Sequence, residues 1–342
     1  MKAVAIYEHG GLDKMIYGDV PTPEPGPGDA LVRIRAVGVN HFDHDIREGY
    51  SGIDHPKPHV LGVEGVGEVV AYGPGTSGPD VGTRVAINGV QACGVCVSCK
   101  SGFDGVCEQG ILKGVTAPGC YAEFAISRAD NLLPLPDALS FEHAAASMIC
   151  GGTAWHMVVT LGQIKAGEDV LVNAAGSGVG TFAVQIAALH GAHVIASAGS
   201  DKKLKRARDL GAHDVINYTT QDLAAEAVRL TGGRGPALVI ESVGGDVLTK
   251  SLEAVPRRGR IITCGAHAGE TVDLDVIALF RKHVTLQGSH YASRNEVSHV
   301  LRLVAEGALK PCIHSVMPLA DAAKAAALTA NRQFFGKMVL VP

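Results

Sequence analysis

Four cysteines in the first third of the chain have the spacing of metal ligands. They form a C-x2-C-x2-C-x7-C pattern within ACGVCVSCKSGFDGVC, and they are Cys93, Cys96, Cys99 and Cys107. The two-residue gaps bring thiolates around one small tetrahedral centre, and the longer gap lets the chain return with the fourth. Because four sulfurs leave no open coordination position, the pattern predicts one structural Zn²⁺ per chain, which holds a fold and does no chemistry. Four unrelated thiols and two disulfides are the alternatives.

A second pattern, DVLVNAAGSGVGTFAVQIAALHGA, indicates a buried strand, a glycine-rich turn and a helix. Glycines let the backbone approach a pyrophosphate, and the N-terminus of the helix offers it free N–H groups and a partial positive charge. The turn departs from a strict G-x-G-x-x-G at Ala175 and at its third position, so a purely structural turn is the alternative. The residues predicted to contact the cofactor here are Gly176, Ser177, Gly178, Val179 and Gly180.

The residues after the second predicted strand indicate which dinucleotide is favoured. A cofactor with a free ribose 2′-OH usually meets an Asp or Glu at this strand end, about 20 residues beyond the glycines. Ala198 stands there instead, followed by Gly199 and Ser200, and no carboxylate at the strand end repels a 2′-phosphate. Ser200 can donate a hydrogen bond and Lys203 can supply charge, so NADP(H) is predicted, with NAD(H) as the alternative. Ser200 as a mere cap of the next helix, with Lys203 in water, also fits the sequence.

The composition limits the classes of function. The 342 residues suffice for two domains or one large one, and 46% hydrophobic with 19% charged residues permits a sizeable core. The net charge is −4 and no dense basic block occurs, so no nucleic-acid partner is predicted. The N-terminal MKAVAIYEHGG lacks the apolar stretch of a signal peptide, and no apolar run has membrane-spanning length. We therefore expect no membrane partner and a cytoplasmic location.

The character of the sequence changes near residue 142. Before it, short β-like runs such as Ala30–Val37, Gly65–Tyr72 and Thr83–Ile87 alternate with Gly and Pro turns, which is typical of a mostly β domain. After Gly167, strands and helices alternate, and this predicts a parallel sheet covered by helices on both faces. The predicted strands of that sheet are Asp169–Ala174, His193–Ser197, Asp214–Asn217, Ala237–Glu241 and Arg260–Cys264.

Helices are predicted between these strands and around them. The final strand is predicted at Lys337–Val341. The predicted helices are Glu142–Ala146, Trp155–Leu161, Gly180–Leu189, Lys202–Leu210, Arg294–Glu306 and Ala320–Ala330.

Taken together and in this order, the motifs resemble the zinc-type medium-chain dehydrogenase/reductase superfamily. The resemblance covers nearly the whole chain, through PEPGPGDALVRI, GVN, LGVEGVGEVV, the cysteine lobe, AAGSGVG and FGKMVLV. It implies an α/β protein with a GroES-like, mostly β catalytic domain at 1–150 and 287–342, in which the zinc lobe lies at about 91–110. It further implies a Rossmann domain with a doubly wound parallel sheet at 151–286, an active site in the cleft between the domains, and a homodimer or homotetramer.

Alcohol dehydrogenases of this superfamily carry a second, catalytic zinc with ligands from three segments. In GVNHFD, GVE and MICGGTAW the corresponding positions hold Asn40, Val63 and Ile149, and Cys150 lies one residue too late. A valine and an isoleucine cannot bind a metal, and an asparagine is a weak neutral ligand. No catalytic Zn²⁺ is therefore expected.

The segment GVNHFDHDIREG instead resembles the quinone oxidoreductase branch, in which G-x-N-x-x-D-x-x-x-R-x-G recurs. In that branch the asparagine, here Asn40, and its neighbours border the nicotinamide. The residues at the phosphate end of the cofactor correspond to Ser200, Lys203 and Tyr218. The cysteine lobe is a departure, because that branch usually lacks it. Two further residues, in ESVGG and after the fifth strand, complete the predicted cofactor contacts, and they are Ser242 and Gly265.

The resulting prediction is an NADPH-dependent oxidoreductase that transfers hydride to a small conjugated carbonyl compound, a quinone or an enone or enal, without catalytic zinc. Asn40 is the predicted hydrogen-bond donor to the oxygen on which negative charge develops, with His41 or Tyr50 assisting. Asp43 is predicted first to organise its loop and second to act as a catalytic partner. Thr153 is predicted to flank the nicotinamide.

Two other functions fit the same residues. One is an NAD(P)-dependent alcohol dehydrogenase whose metal site is rebuilt from nearby ligands, although Glu64 among them is expected to satisfy backbone groups instead. The other is a non-catalytic cofactor-binding protein, because the glycine turn argues only for binding. The ligands available for a rebuilt site are His41, Asp43, His44, Asp45, His55, His59 and Glu64.

Overall fold

In the computed structural model, which describes residues 1–49 and 55–342, the chain divides into two units. The first unit comprises Met1–Ile149 together with Ser293–Pro342, and the second comprises Cys150–Ala292. The C-terminal fifty residues thus return to the unit that the N-terminus began.

Strands occur in both units. In chain order they are β1 (Lys2–Ile6), β2 (Ile16–Asp19), β3 (Asp29–Gly38), β4 (His59–Val60), β5 (Gly65–Tyr72), β6 (Arg84–Ile87), β7 (Val90–Gln91), β8 (Ile111–Leu112), β9 (Phe124–Arg128), β10 (Leu132–Pro134), β11 (Asp169–Val172), β12 (His193–Ala198), β13 (Asp214–Asn217), β14 (Leu238–Glu241), β15 (Arg260–Thr263), β16 (Thr285–Gly288), β17 (Ile313–Pro318) and β18 (Lys337–Val341).

The α-helices lie between these strands and before the last two of them. In chain order they are α1 (His41–Glu48), α2 (Val97–Lys100), α3 (Phe141–Trp155), α4 (Gly178–Leu189), α5 (Asp201–Asp209), α6 (Leu223–Leu230), α7 (Gly245–Ala254), α8 (Val276–Lys282), α9 (Arg294–Ala305) and α10 (Ala322–Ala330).

The segments Glu142–Ala146 and Trp155–Leu161 are helical as predicted, but the structure joins them in one continuous run. Helix α3 runs through both glycines of MICGGTAW and continues directly as a π-helix, His156–Leu161. The residues around these glycines are buried, and packing there outweighs the poor helix propensity of glycine. The joined helix is long and apolar enough to cross a membrane, but 72% of its apolar window is buried within the protein, as in a core helix.

The first unit is built around β3, which pairs with β5, β9 and β18. Its inward residues, such as Val32 and Ile34, alternate with outward ones and belong to the core of this unit. The C-terminal strand β18 runs antiparallel to the end of β3, with Val339 opposite Gly38. This pairing brings the last residues of the chain beside the loop that leads into α1.

The second unit contains a six-stranded sheet in the order β13-β12-β11-β14-β15-β16, and all its pairs are parallel. The order reverses at β11, as in a doubly wound nucleotide-binding fold. Val170, Leu171 and Val172 of β11 have no exposed surface, as expected for a strand covered on both faces. The predicted parallel sheet is confirmed, except that β16 was missed because its four exposed residues give no core pattern.

Candidate functional site

The glycine-rich turn after β11 has the geometry of a phosphate-binding turn. Ser177 caps α4, and its hydroxyl oxygen accepts a hydrogen bond from the Gly180 N–H at 2.9 Å. A Cβ on Gly180 would lie 2.2 Å from the carbonyl oxygen of Ala174, so only glycine fits where the helix packs against the turn. Gly178 and Val179 begin the helix, where N–H groups have no acceptor within the helix. The turn therefore fits a pyrophosphate.

Ser200, Lys203 and Tyr218 lie at the same corner of the sheet. Ser200 caps α5 just beyond the end of β12, and its side chain accepts from the Lys203 N–H. Accepting this bond leaves the hydroxyl proton of Ser200 able to donate. Tyr218 follows β13, and its hydroxyl lies so close to Gly199 that a Cβ there would approach it to 2.8 Å. The corner thus offers two hydroxyls and the helix that bears Lys203.

A carboxylate that the sequence analysis overlooked belongs to the same corner. Asp201 is the first residue of α5, and its Oδ1 accepts a hydrogen bond from Asn217 Nδ2 at 2.7 Å. An acidic residue in the first turn of a helix is stabilised by the helix dipole. The residue was visible in the sequence directly after Ser200. Its charge is opposite in sign to that of Lys203, so α5 carries an acidic and a basic side chain in its first turn.

Ser242 and Gly265 lie close to each other beyond β14 and β15. A Cβ on Gly265 would lie 2.4 Å from the carbonyl oxygen of Ser242. The buried Glu241 supports this edge, because it accepts hydrogen bonds from the N–H groups of Val243 and Gly244. Burial raises the pKa of Glu241. The predicted cofactor residues thus all follow carboxyl ends of parallel strands, the edge at which open α/β sheets bind ligands.

In the first unit, a buried carboxylate organises a network around Asn40. Glu64 has no exposed surface, and its Oε1 accepts from Asn40 Nδ2 at 2.8 Å. The same oxygen lies 2.8 Å from the ammonium of Lys337, while Oε2 accepts from the Ile149 N–H at 2.8 Å. The Lys337 ammonium also donates to Asn40 Oδ1. Glu64 therefore satisfies a backbone group, as expected, and is also paired with a buried cation that the sequence analysis missed.

Asp43 ties the loop before α1 to two other segments. Its Oδ2 accepts hydrogen bonds from the Asn40 N–H and the Tyr121 hydroxyl, both at 2.9 Å. Its Oδ1 accepts from the Val63 N–H at 3.1 Å. Burial raises the pKa of Asp43 to about 6, while the bonds from Asn40 and Tyr121 act in the opposite direction. These contacts agree with the first predicted role of Asp43, that of organising its loop.

The three positions that the resemblance assigns to catalytic zinc ligands, Asn40, Val63 and Ile149, adjoin this network. Asn40 and Ile149 both contact Glu64, and Val63 contacts Asp43. Val63 and Ile149 make these contacts through backbone N–H groups, which are donors and cannot bind a cation. This set of groups does not fit a catalytic Zn²⁺.

The residues proposed for a rebuilt metal site do not assemble one. His59 Nε2 lies 3.0 Å from the carbonyl oxygen of Gly114, and a carbonyl accepts only, so this nitrogen carries the proton. Burial lowers the pKa of His59 to about 4, so the ring is neutral. Across residues 1–49 and 55–342, the four cysteines are the group of three or more potential ligands that could hold a metal ion.

The remaining predicted catalytic residues are less informative. His41 is the first residue of α1, and its ring centroid lies 5.5 Å from that of His44. Thr153 is buried within α3 and belongs to the second unit. Tyr50 lies outside the described residues. The structure thus brings Asn40 and Asp43 together through their shared hydrogen bond.

The four cysteines converge as their spacing predicts. Their sulfur atoms all lie within 4.8 Å of one another, and no disulfide joins them. The Cys93–Cys99 and Cys96–Cys107 sulfur pairs are both 3.9 Å apart. A tetrahedron with Zn–S bonds of about 2.3 Å has S–S edges of about 3.8 Å. The lobe therefore fits a four-coordinate Zn²⁺.

Backbone donors also favour the metal-binding form of the Cys93 sulfur. The N–H groups of Val95 and Cys96 lie 3.5 and 3.3 Å from Cys93 Sγ. These bonds lower the pKa of the Cys93 thiol to about 6 and so favour the thiolate, the form that binds metal. Such outer hydrogen bonds are typical of metal sites.

Known proteins share this architecture. A family model described as alcohol dehydrogenase GroES-like domain matches residues 26–137, and one described as zinc-binding dehydrogenase matches 178–306. The chain is similar to a solved structure described as NAD-dependent alcohol dehydrogenase, with 41% identity, full coverage of both chains and a TM-score of 0.94. It is 31% identical to a 2-haloacrylate reductase of Burkholderia sp, over 99% of this chain and 98% of that protein. The quinone oxidoreductase of Escherichia coli, solved with NADPH, is 28% identical, with full coverage of both chains and a TM-score of 0.85.

Proposed function

Because the chain belongs to the zinc-type medium-chain dehydrogenase/reductase superfamily and is therefore an oxidoreductase, we propose that it reduces a conjugated carbonyl compound with NADPH and without a catalytic zinc. The substrate class is a quinone or an enone. One observation carries this proposal: Asn40, Val63 and Ile149 replace the three catalytic ligands, and the carboxylate beside them is paired with the Lys337 ammonium.

The reaction needs charge stabilisation that a metal would otherwise provide. When bound, NADPH would supply a hydride, and with one proton from water the substrate gains two electrons and two protons, while NADP⁺ remains. When the hydride forms a C–H bond with a carbon of the conjugated substrate, the displaced π electrons move through the conjugated system, and negative charge develops on the carbonyl oxygen. Without a Lewis acid, a hydrogen-bond donor must meet that oxygen. We assign this role to Asn40, with His41 assisting.

For the cofactor, the residues of the second unit have separate roles in the proposal. Residues 176–180 hold the pyrophosphate at the N-terminus of α4. Ser200, Lys203 and Tyr218 hold the 2′-phosphate, since Ala198 leaves the end of β12 without a carboxylate. The two solved relatives differ on this point, because one is described with NAD and the other with NADPH.

We expect Lys203→Ala to weaken use of NADPH selectively. A hydrogen bond to a charged group contributes about 1.5–3 kcal/mol, so kcat/KM with NADPH should fall about 10- to 100-fold. The value with NADH should stay within about twofold of wild type, because NADH lacks the 2′-phosphate. Steady-state kinetics with both cofactors measures the two changes. Lys205→Ala, an exposed lysine on the same helix, is the matched control. Equal losses with both cofactors would contradict a 2′-phosphate contact.

The proposed activity is tested with a panel of quinones, enals and alcohols, each with NADPH and NADH. We expect NADPH oxidation with quinones or enones that survives treatment with a chelator. The 41% identity to an NAD-dependent alcohol dehydrogenase favours a second candidate, alcohol oxidation with NAD⁺. Loss of that oxidation on chelation would establish the second candidate in place of the first. Tight cofactor binding without turnover of any compound would indicate a non-catalytic protein.

We further propose that a second copy of this chain covers one edge of the parallel sheet, in a homodimer. Strand β16 ends the sheet with four exposed residues, and none of the residues of the adjoining α8 is buried. Val276, Ile277 and Phe280 of α8 are 59%, 54% and 60% exposed. Unpaired edges and apolar patches of this kind are usually covered.

Sedimentation at micromolar concentration should therefore show a dimer, and Phe280→Asp should shift it toward the monomer. The variant places a carboxylate in the apolar patch. A dimer would have to bury this charge, and burying an unpaired charge is unfavourable. A wild-type monomer, or a Phe280→Asp variant that stays fully dimeric, would argue against this edge as the interface.

A further inference from the structure

Lys337 is a buried lysine with a defined environment. It is the first residue of β18, and only 4% of its surface is exposed. Its backbone N–H donates to the carbonyl oxygen of Cys312, and the next residue, Met338, accepts from the Val39 N–H. These bonds hold the backbone of Lys337 beside the loop that carries Asn40. Burying an ammonium group without a partner costs free energy of folding, so the groups that contact Lys337 must stay in place to pair with it.

Lys337 and Glu64 both contact the Asn40 amide, and together they favour one orientation of it. An ammonium only donates hydrogen bonds, and an ionised carboxylate only accepts them. The Asn40 oxygen must therefore face Lys337, and its nitrogen must face Glu64, as the contacts show. The reverse orientation would set the amide NH₂ against the ammonium and the amide oxygen against the carboxylate. Both contacts would then be repulsive.

One N–H of the oriented amide is left with a weak contact. Asn40 Nδ2 donates to Glu64 Oε1 at 2.8 Å but approaches the carbonyl oxygen of Gly38 only to 3.3 Å. The usual N–H···O distance is about 2.9–3.0 Å, so the second bond is the one that a better acceptor can replace. A hydrogen bond received at the amide oxygen also polarises the amide and strengthens its N–H groups as donors. Asn40 itself is half-buried, unlike Glu64 and Lys337.

We propose that Lys337 is a positioning residue, which acts through Asn40: it fixes the amide so that its second N–H meets the substrate oxygen. This inference rests on the proposed function, because it concerns the donor that serves that reaction. Glu64 is the second member of the pair and holds the other N–H. The ion pair thus places the positive charge of Lys337 next to the amide that donates. At this site the three positions assigned to metal ligands hold residues that do not bind a metal.

The test compares Lys337→Met with Lys337→Arg and with Lys113→Met in the full-length protein. Lys113 is the matched control, since it is 3% exposed in the same unit and donates to the Ile126 carbonyl oxygen rather than to Asn40. We expect Lys337→Met to lower kcat with a quinone or enone by about 10- to 100-fold, as misplaced catalytic groups do, with an unchanged KM for NADPH. Lys337→Arg should restore most of kcat. Lys113→Met should lose stability but keep kcat.

A double variant, Glu64→Gln with Lys337→Met, keeps the test decisive if the single variant does not fold. Removing both charges leaves no unpaired buried ion, so the double variant should fold. A glutamine side chain both donates and accepts, so it no longer dictates the orientation of the Asn40 amide. We therefore expect kcat of the double variant to fall about 10- to 100-fold as well.

The possible outcomes separate this inference from the function on which it rests. Wild-type protein that turns over no quinone or enone would defeat the proposed function itself. Active wild-type protein with a folded Lys337→Met or double variant that keeps kcat within about twofold would overturn the role of Lys337 alone.

Discussion

Replacement of Cys96 by serine is expected to release the zinc from the cysteine lobe and to lower the unfolding temperature. Wild-type protein should contain about one zinc per chain, held by four thiolates. Loss of an outer-shell partner already costs 10- to 100-fold in metal affinity, so loss of a ligand should cost more than about 100-fold. Metal analysis and thermal unfolding of both proteins measure the two effects.

The catalytic step should be little affected by this change at temperatures where the variant stays folded. The four sulfurs would occupy every position of a tetrahedral ion, so such a metal would have no site for substrate. Cys312→Ser is the matched control, because Cys312 is also half-buried but lies outside the lobe. A folded Cys96→Ser protein that keeps its zinc, or that loses hydride transfer alone, would show that the lobe is not a structural zinc site. Two firmly bound zincs with chelator-sensitive turnover would contradict the metal-free mechanism.

Stability should depend on pH through Asp43, and Asp43→Asn should remove that dependence. Burial raises the pKa of Asp43 to about 6 in the folded protein, whereas an unfolded aspartate has a pKa of about 3.9. Between these values the folded state holds a proton that the unfolded state has lost, so the free energy of unfolding falls as pH rises. The fall between pH 4 and pH 7 should be about 2 kcal/mol, given 1.36 kcal/mol for each pKa unit.

The measurement is the free energy of unfolding of wild type minus that of Asp43→Asn, in denaturant, at several pH values. Because asparagine does not titrate, this difference isolates the contribution of Asp43. It should be greatest near pH 4 and smaller at pH 7. Asp19→Asn is a control for which the pH dependence of this difference should have the opposite sign. The Lys2 ammonium lowers the pKa of exposed Asp19, so the corresponding difference should rise with pH. A difference for Asp43 that is flat or rises with pH would refute the assigned titration.

Much of the fold could be predicted from local patterns. The βα alternation after Gly167 predicted a parallel sheet, and the two matched family models confirm a GroES-like domain followed by a Rossmann-type domain. The errors have physical causes. Strand β16 escaped notice because an exposed edge strand needs no apolar alternation. The part of helix α3 between its two predicted segments was also missed, because glycine has a poor helix propensity, whereas burial of the surrounding residues maintains the helix.

At the glycine-rich turn, local sequence was sufficient to predict the turn and the helix after it. Gly180 and Ser177 act within one turn, so their roles follow from neighbours a few residues away. Asp201 was equally local and was overlooked, although it stands directly after Ser200. The assignment of Ser242 and Gly265 to the cofactor stays a prediction, since the structure shows only that they lie close to each other.

The sequence by itself determined two things about this protein: four cysteines with the spacing of metal ligands, and the presence of Asn40, Val63 and Ile149 at the positions that the resemblance assigns to catalytic ligands. Both depend on residue identity and short spacing, which the printed chain contains. Only the tertiary structure decided what takes the place of those ligands. Lys337 and Asn40 are 297 residues apart and meet because β18 pairs with the end of β3 in one register. That register follows from the packing of the whole first unit, so no local pattern encodes the ion pair behind Asn40.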